Sequence, residues 1–353
     1  VETSLSHDSS RRQAVFLSPA LILGGLFVLV VVLFLLSLTL GSVAIPLEDI
    51  LKILTGQAVT PDAWQNIVLK FRLPKTVTAL LAGASLGVAG LLMQTFFRNP
   101  LADPAILGIS SGASLGVALV VFSAGSGGGL LLAGLNASGD FLMVLAAATG
   151  AGIAMLLVLA LARQVRNPIT LLIVGLMFGY LTSAGVTLMM HFAVKERVQA
   201  YTNWTFGSFG GVTVSQLVWF VPFALVGLCG ALVLAKSLNA LLLGENYARS
   251  MGLNVRVARV AVVGVTAILT GAVTAFCGPI GFIGVAVPHI ARNIMQTSDH
   301  RVLLPTTVLV GGLVAMVGAL IAEVPNSQLV LPLNAVMALL GAPIVLWVIL
   351  RGK

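Results

Sequence analysis

Roughly ten apolar runs follow one another along this chain, each close to the ~20 residues that an α-helix needs to cross a bilayer. Their cores lie near 20–40, 77–96, 105–123, 141–162, 169–192, 215–235, 258–277, 280–296, 304–322 and 334–350. Hydrocarbon offers no water to backbone amides, so such runs are restricted to helices that satisfy their own hydrogen bonds. The reading is an all-α, polytopic membrane protein. With 58% hydrophobic and only 8% charged residues and a mean hydropathy of +1.08, the chain has too few charges to clothe a soluble surface.

The net charge of +8 raises the question of nucleic acid, but the basic residues are scattered among short loops and form no stripe. Membrane orientation accounts for them. With both termini inside, thirteen basic residues fall on cytoplasmic segments and six outside, which covers all 19 and obeys the positive-inside bias. The seventh and eighth runs are parted only by Cys277-Gly278-Pro279-Ile280-Gly281, a glycine–proline turn. Merging them would reverse the side of every later basic residue, so ten spans are expected. Residues 1–19 then form a cytoplasmic N-terminal segment and 20–353 the membrane domain. Ser10-Arg11-Arg12 before QAVFL is similar to a twin-arginine export signal, but the apolar run continues to about Leu40, the length of a spanning helix.

The sharpest break is FFRNPLADPAILGISSGASLG, from Phe96 to Gly116. Pro100 and Pro104 each lack an amide donor and crowd the preceding turn, so regular helix cannot pass through. Non-helical backbone beside spanning helices survives at the water boundary, in a cavity or packed in protein. The break is therefore a candidate for part of a passage. GASLGVA occurs twice, at 83–89 and 112–118, each with a small-xxx-small face suited to close helix packing. Cys229 and Cys277 read as buried small hydrophobes, and the four isolated histidines have no metal-ligand spacing. No catalytic, cofactor or metal residues are expected.

The run RLPKTVTALLAGASLGVAGLLMQTFFRNPLADPAILGISSGASLG (72–116) resembles the FecCD-type permease subunits of ABC importers for iron–siderophore, haem and cobalamin uptake. So do WTFGSFGG (204–211), LLLGENYARSMGLNV (241–255), GPIGFIGVAVPHIARNIMQTSDHRVLLP (278–305) and LGAP (340–343), in order. The resemblance implies a type II ABC importer permease fold in the bacterial cytoplasmic membrane. It also implies a second permease subunit, identical or related, two ATPase subunits on the cytoplasmic face and a substrate-binding protein outside. ATP and Mg would belong to the ATPase, since the chain has no GxxxxGK[ST] phosphate loop. The expected cargo is a metal chelate, with a ferric siderophore preferred over haem and cobalamin.

Site residues follow from the same resemblance. A cytoplasmic knuckle at about 237–257 would transmit ATPase motion, with Gly244, Glu245, Ala248, Arg249, Gly252 and Leu253 at the contact; locally it is only an amphipathic loop broken by glycine. Asn99 and Leu101 would narrow the cytoplasmic exit, although Asn99 beside Pro100 also reads as a helix cap. RNPIT (166–170) would form a second constriction, put in doubt by Pro168 and Ile169. Arg72 and Lys75 would meet acidic residues of the binding protein, or else anchor the membrane interface. Asn203, Trp204, Phe206 and Ser208 would line the mouth of the pathway, with Trp204 equally readable as an interface anchor. Glu323 departs from the family pattern, which implies rearranged docking or a cation supplied by the second subunit. An ion-driven carrier would need midplane ionisable residues, which the spans almost entirely lack. A passive scaffold would leave the knuckle unexplained.

Overall fold

The ten apolar runs each coincide with a helix in the computed structural model, which describes residues 18–41, 43–123, 139–164, 168–323 and 330–351. The order is α1 (Pro19–Thr39), α2 (Leu47–Leu54), α3 (Asp62–Asn66), a π-helical turn (Ile67–Arg72) running directly into α4 (Leu73–Phe97), and a 3-10 turn (Pro104–Leu107) before α5 (Ile109–Ser123). Then come α6 (Gly139–Gln164), α7 (Pro168–Phe192), α8 (Lys195–Thr205), α9 (Val214–Val233), α10 (Ala235–Leu242), α11 (Glu245–Ser250) and α12 (Val255–Cys277). The last three are α13 (Ile283–Met295), α14 (His300–Ala322) and α15 (Leu333–Arg351). Among the described residues there is no strand, only an isolated bridge between Glu323 and Val330. Among the described residues, seven helices (α1, α3–α4 as one rod, α6, α7, α9, α12 and α14) are long and apolar enough to cross a membrane; α5, α13 and α15 are shorter.

Local chemistry sets the boundaries. The Ser18 hydroxyl accepts from the Leu21 amide and Pro19 occupies the first turn of α1. Thr213 and Gln216 make a reciprocal capping box on α9, Asn254 caps α12 and Asp299 caps α14. Helix α4 ends where Arg98 turns left-handed (φ 49°) and Pro100 forbids renewal. The Asp103 side chain then accepts from the Ala105 amide at 2.7 Å and starts the 3-10 turn.

Helix α4 is the axis of the bundle: 83% of its most apolar window is buried, against 11% for the peripheral α1. Hydrophobicity cannot drive helices together in lipid, so close backbone approach has to. The two GASLGVA copies supply it in different places. A side chain at Gly83 would collide with the Gly311 backbone of α14, and one at Gly90, the residue after the first copy, with Gly284 of α13. Gly112 and Gly116, in the second copy, abut Gly150 and Ala146 of α6. Cys277 is buried and Cys229 exposed, both as free thiols.

Hydrogen bonds and ion pairs gather at the two ends of the bundle. One end joins the 98–103 loop, α10, α11 and the 296–300 turn; the other joins the 40–46 loop, the start of α4, α8 and the 206–211 loop. Residues 165–167, which include Arg166 and Asn167 of RNPIT, lie outside the described residues, and Pro168–Thr170 open α7.

Candidate functional site

At the first end, two short helices stand at an angle because glycine permits it. Gly244 (φ 116°) separates α10 from α11, and Gly252 (φ 84°) separates α11 from α12, both in backbone that disfavours a side chain. Leu241, Ala248, Val255 and Ala258 form a small core inside this knuckle, with Leu253 packed on it. The Glu245 carboxylate accepts from Arg259 at 2.8 Å and from Arg249 at 3.3 Å, and the Arg259 side chain is only 7% exposed. This pair fastens α11 to the first turn of α12.

The expected contact set therefore divides. Arg249 and Gly252 are exposed, Glu245 is engaged within the chain, and Ala248 is fully buried while Leu253 packs inward. Ala248 points into the knuckle in this chain, where a small residue lets α11 lie down on α12. Three side chains that sequence reasoning missed, Leu243, Tyr247 and Met251, project from the knuckle at 65%, 53% and 62% exposure. Their signal was available, as large apolar residues at near-helical spacing in a segment too short to span.

The loop after α4 is tied to the knuckle and to α13 and α14. The Arg98 guanidinium donates to the Leu241 carbonyl at 3.3 Å, alongside Gly244. The His289 imidazole lies 2.8 Å from the Pro100 carbonyl, and Arg292 donates to Gln94 at 2.6 Å. The His300 Nδ1–H donates to the Asn239 Oδ1, and its Nε2 lies 2.8 Å from the Thr95 hydroxyl, the same distance as the first bond. Asn239 donates in turn to Asp299 at 2.6 Å. The Arg301 amide, and then Asn239, hold the Asp299 carboxyl below its ordinary range. Two of the four histidines, His289 and His300, are thus brackets between distant segments. Asn99 accepts from the Leu101 amide at 2.9 Å, shaping the turn as an Asx residue, and the Leu101 side chain is exposed.

At the opposite end, Arg72 is buried. Its guanidinium donates to the Leu38, Thr39 and Val43 carbonyls, the first two at 2.8 and 3.0 Å. It closes the C-terminus of α1, where three carbonyls hold it inward, whereas the resemblance implies its display to a docking protein. Lys75 makes an ion pair with Glu323, which meets the sequence departure at that position with a partner inside the same chain. Arg72→Lys keeps the charge but loses the planar fork, and is expected to lower stability by about 3 kcal/mol. Thermal unfolding in detergent checks this; an unchanged melting temperature would contradict the bracing role.

The four expected mouth residues cluster around one turn. Asn203 and Phe206 are exposed, and Trp204 is half-buried with its ring 6.2 Å from Tyr201. The Phe206 carbonyl accepts from the Asn334 amide at 2.9 Å, and the Ser208 amide donates to the Cys277 carbonyl at 2.8 Å. The turn therefore joins α8 to α12 and α15. Beneath it, between α5, α7 and α8, lies a cleft of about 350 Å³ lined by Ser111, Ser114, Thr182, Ser183, Thr187 and Tyr201. Burial pushes the Tyr201 phenol up and keeps it protonated, opposed by a hydrogen bond from Ser114. These hydroxyls at helical spacing were readable in the sequence but were not singled out.

A family model described as the FecCD transport family matches residues 29–351. The chain belongs to the FecCD transport family. It is 34% identical to the vitamin B12 import system permease protein BtuC of Klebsiella pneumoniae, covering 99% of this chain and 98% of that one. It is also 34% identical to the hemin transport system permease protein HmuU of Yersinia pestis, covering 95% and 97%. A solved structure described as an inward-facing conformation of a metal-chelate type ABC transporter superposes with a TM-score of 0.80 at 27% identity, covering 95% of this chain and 99% of that one. As a FecCD family member the chain is a multi-pass membrane permease of the ABC importer type.

Proposed function

We propose that this chain is one of two permease subunits, identical or related, of an importer in the bacterial cytoplasmic membrane that carries a ferric siderophore inward. Ten spans put both termini and the knuckle on the cytoplasmic side. Two ATPase subunits seat there and hydrolyse ATP with Mg; this chain performs no covalent chemistry. The observation that carries the reading is the knuckle itself. It is locked to α12 by Glu245–Arg259 and to the 98–103 loop by Arg98–Leu241, so displacing the knuckle displaces the loop holding Asn99 and Leu101. Leu243, Tyr247, Met251 and Arg249 are the surface an ATPase groove would hold. Gly244 and Gly252 supply the bends.

A binding protein docks at the other end, where Lys75 is the docking cation beside Glu323 and Arg72 holds the surface in shape. The hydroxyl-lined cleft, below Trp204 and Phe206, is the wall a descending substrate meets. Six hydroxyls beside Val186 and Met190 suit a chelate whose metal is already wrapped and whose periphery offers both polar and apolar groups. Cobalamin, also rich in polar periphery, is the second reading, favoured by the names of the relatives.

Competition uptake with labelled ferric siderophores, haem and cobalamin tests the proposal. A ferric siderophore should be taken up in an ATP- and binding-protein-dependent manner, with excess haem leaving it unaffected. Uptake of cobalamin or haem alone would overturn the cargo, and uptake driven by an ion gradient without ATP would overturn the mechanism.

A further inference from the structure

Four arginines converge on one cleft at the cytoplasmic end of the α6–α12 pair. Arg163, Arg249, Arg256 and Arg259, with Gln164, surround a space of about 440 Å³. Glu245 answers Arg249 and Arg259, whereas Arg163 and Arg256 face no carboxylate among the described residues. Arg256 instead donates through Nε and Nη2 to the Arg163 carbonyl at 3.1 and 2.7 Å, which fixes its guanidinium plane at the rim. So much fixed positive charge around a cleft calls for an anion, and guanidinium matches phosphate oxygens in pairs.

A second observation says what carries that anion. Further along the same two helices is an apolar groove of about 190 Å³, lined by Ala151, Gly152 and Met155 of α6 and by Ala267, Gly271 and Ala275 of α12, with Phe223 of α9 closing one side. Met155 is eight residues from Arg163, and Ala267 eight from Arg259, so both helices put the groove about 12 Å from the arginines. Small residues leave room there, and the neighbouring side chains Ile153, Leu156 and Phe223 are exposed at 67%, 64% and 53%. A charged recess at the membrane boundary, with a separate greasy groove about 12 Å deeper on the same two helices, has the spacing of a phospholipid headgroup and acyl chain.

We propose that this recess and groove bind one anionic phospholipid, phosphate among Arg163, Arg256 and Arg259 and an acyl chain along α6 and α12. Because Arg249 and Arg259 also hold Glu245, the bound lipid neutralises the repulsion among the arginines that brace the knuckle. Lipid composition then reaches the coupling segment directly.

The test uses the full-length chain purified in detergent, native mass spectrometry to count retained lipid, and dioleoylphosphatidylglycerol as probe against dioleoylphosphatidylcholine. Phosphatidylglycerol should be retained preferentially. The preference should fall roughly fivefold for each charge removed in Arg163→Gln and Arg256→Gln, and Arg256→Lys should keep most of it. Ala148→Phe, which intrudes on the groove without touching a charge, should also weaken retention. Equal retention of the two lipids, or retention unchanged by the arginine variants, would overturn the proposal. Displacement of the lipid by millimolar inorganic phosphate would overturn it in favour of a soluble anion. Arg256→Lys also guards against misfolding: loss in Arg256→Gln together with preservation in Arg256→Lys reports on charge and not on collapse.

Discussion

Gly90→Leu should prevent the bundle from assembling, whereas Gly25→Leu should be silent. A Cβ at Gly90 would overlap the Gly284 carbonyl and lie 2.7 Å from the Gly284 Cα. Neither neighbour is the movable end of a side chain, so the α4 and α13 backbones would have to separate. Overpacking a well-filled interior costs about 1–3 kcal/mol even where side chains can adjust, and here the rigid backbone puts the cost at or above the top of that range. Helix α13 also carries His289 and Arg292, so its displacement would pull on Pro100 and Gln94 as well. At Gly25, on the peripheral α1, nothing lies within 4 Å of the added atom. The comparison separates packing from helix propensity, since leucine is the better helix former at both places. Folded yield and melting temperature in detergent decide it; equal behaviour of the two variants would refute the packing argument.

Glu245→Lys should abolish uptake while leaving the chain in the membrane. The carboxylate sits between Arg249 and Arg259, and reversing it places three cations together with Arg259 only 7% exposed. Removing one partner of a buried ion pair costs about 3–5 kcal/mol. Glu245 is itself about a quarter exposed and water screens part of this, so roughly half that figure applies. Even so, α11 would detach from α12 at least part of the time, and Leu243, Tyr247 and Met251 would lose their fixed arrangement. ATP-dependent uptake should fall more than tenfold, Glu245→Gln should fall between, and Glu245→Arg combined with Arg259→Glu should recover part of the loss. Normal uptake in Glu245→Lys would sink the coupling role of the knuckle. Failure of the double exchange to recover anything would show that the pair does more than brace.

Much of this was written in one dimension. The apolar runs name the helices, Pro100 and Pro104 name the break, and Ser18, Thr213, Asn254 and Asp299 name the starts. Glycines 244 and 252 mark the bends of the knuckle, because only positive φ explains the short helices they separate. Arg72 and Ala248 show what residue type alone does not reveal. Arg72 looked like a surface cation and Ala248 like a contact residue, yet both point inward, towards carbonyls 29 to 34 residues back and towards α12 respectively. Residue type fixes what a side chain can do, and only its neighbours decide whether a partner protein reaches it.

By itself, then, the sequence placed the apolar runs that become helices, in order, and pointed to the family to which the chain belongs. Those are properties of near neighbours along the chain: span length, caps, prolines and the requirement that backbone amides be satisfied locally in hydrocarbon. The tertiary structure alone decided that Gly83 meets Gly311 and that Lys75 answers Glu323. It alone decided that His300 joins Thr95 across 205 residues and that four arginines share a cleft. In a water-soluble helix the polar face would have announced its orientation. In these helices lipid-facing and protein-facing surfaces are built from the same residues, so periodicity is silent about which side is buried, and the pairing of faces is settled only by close backbone approach and scarce polar contacts in three dimensions.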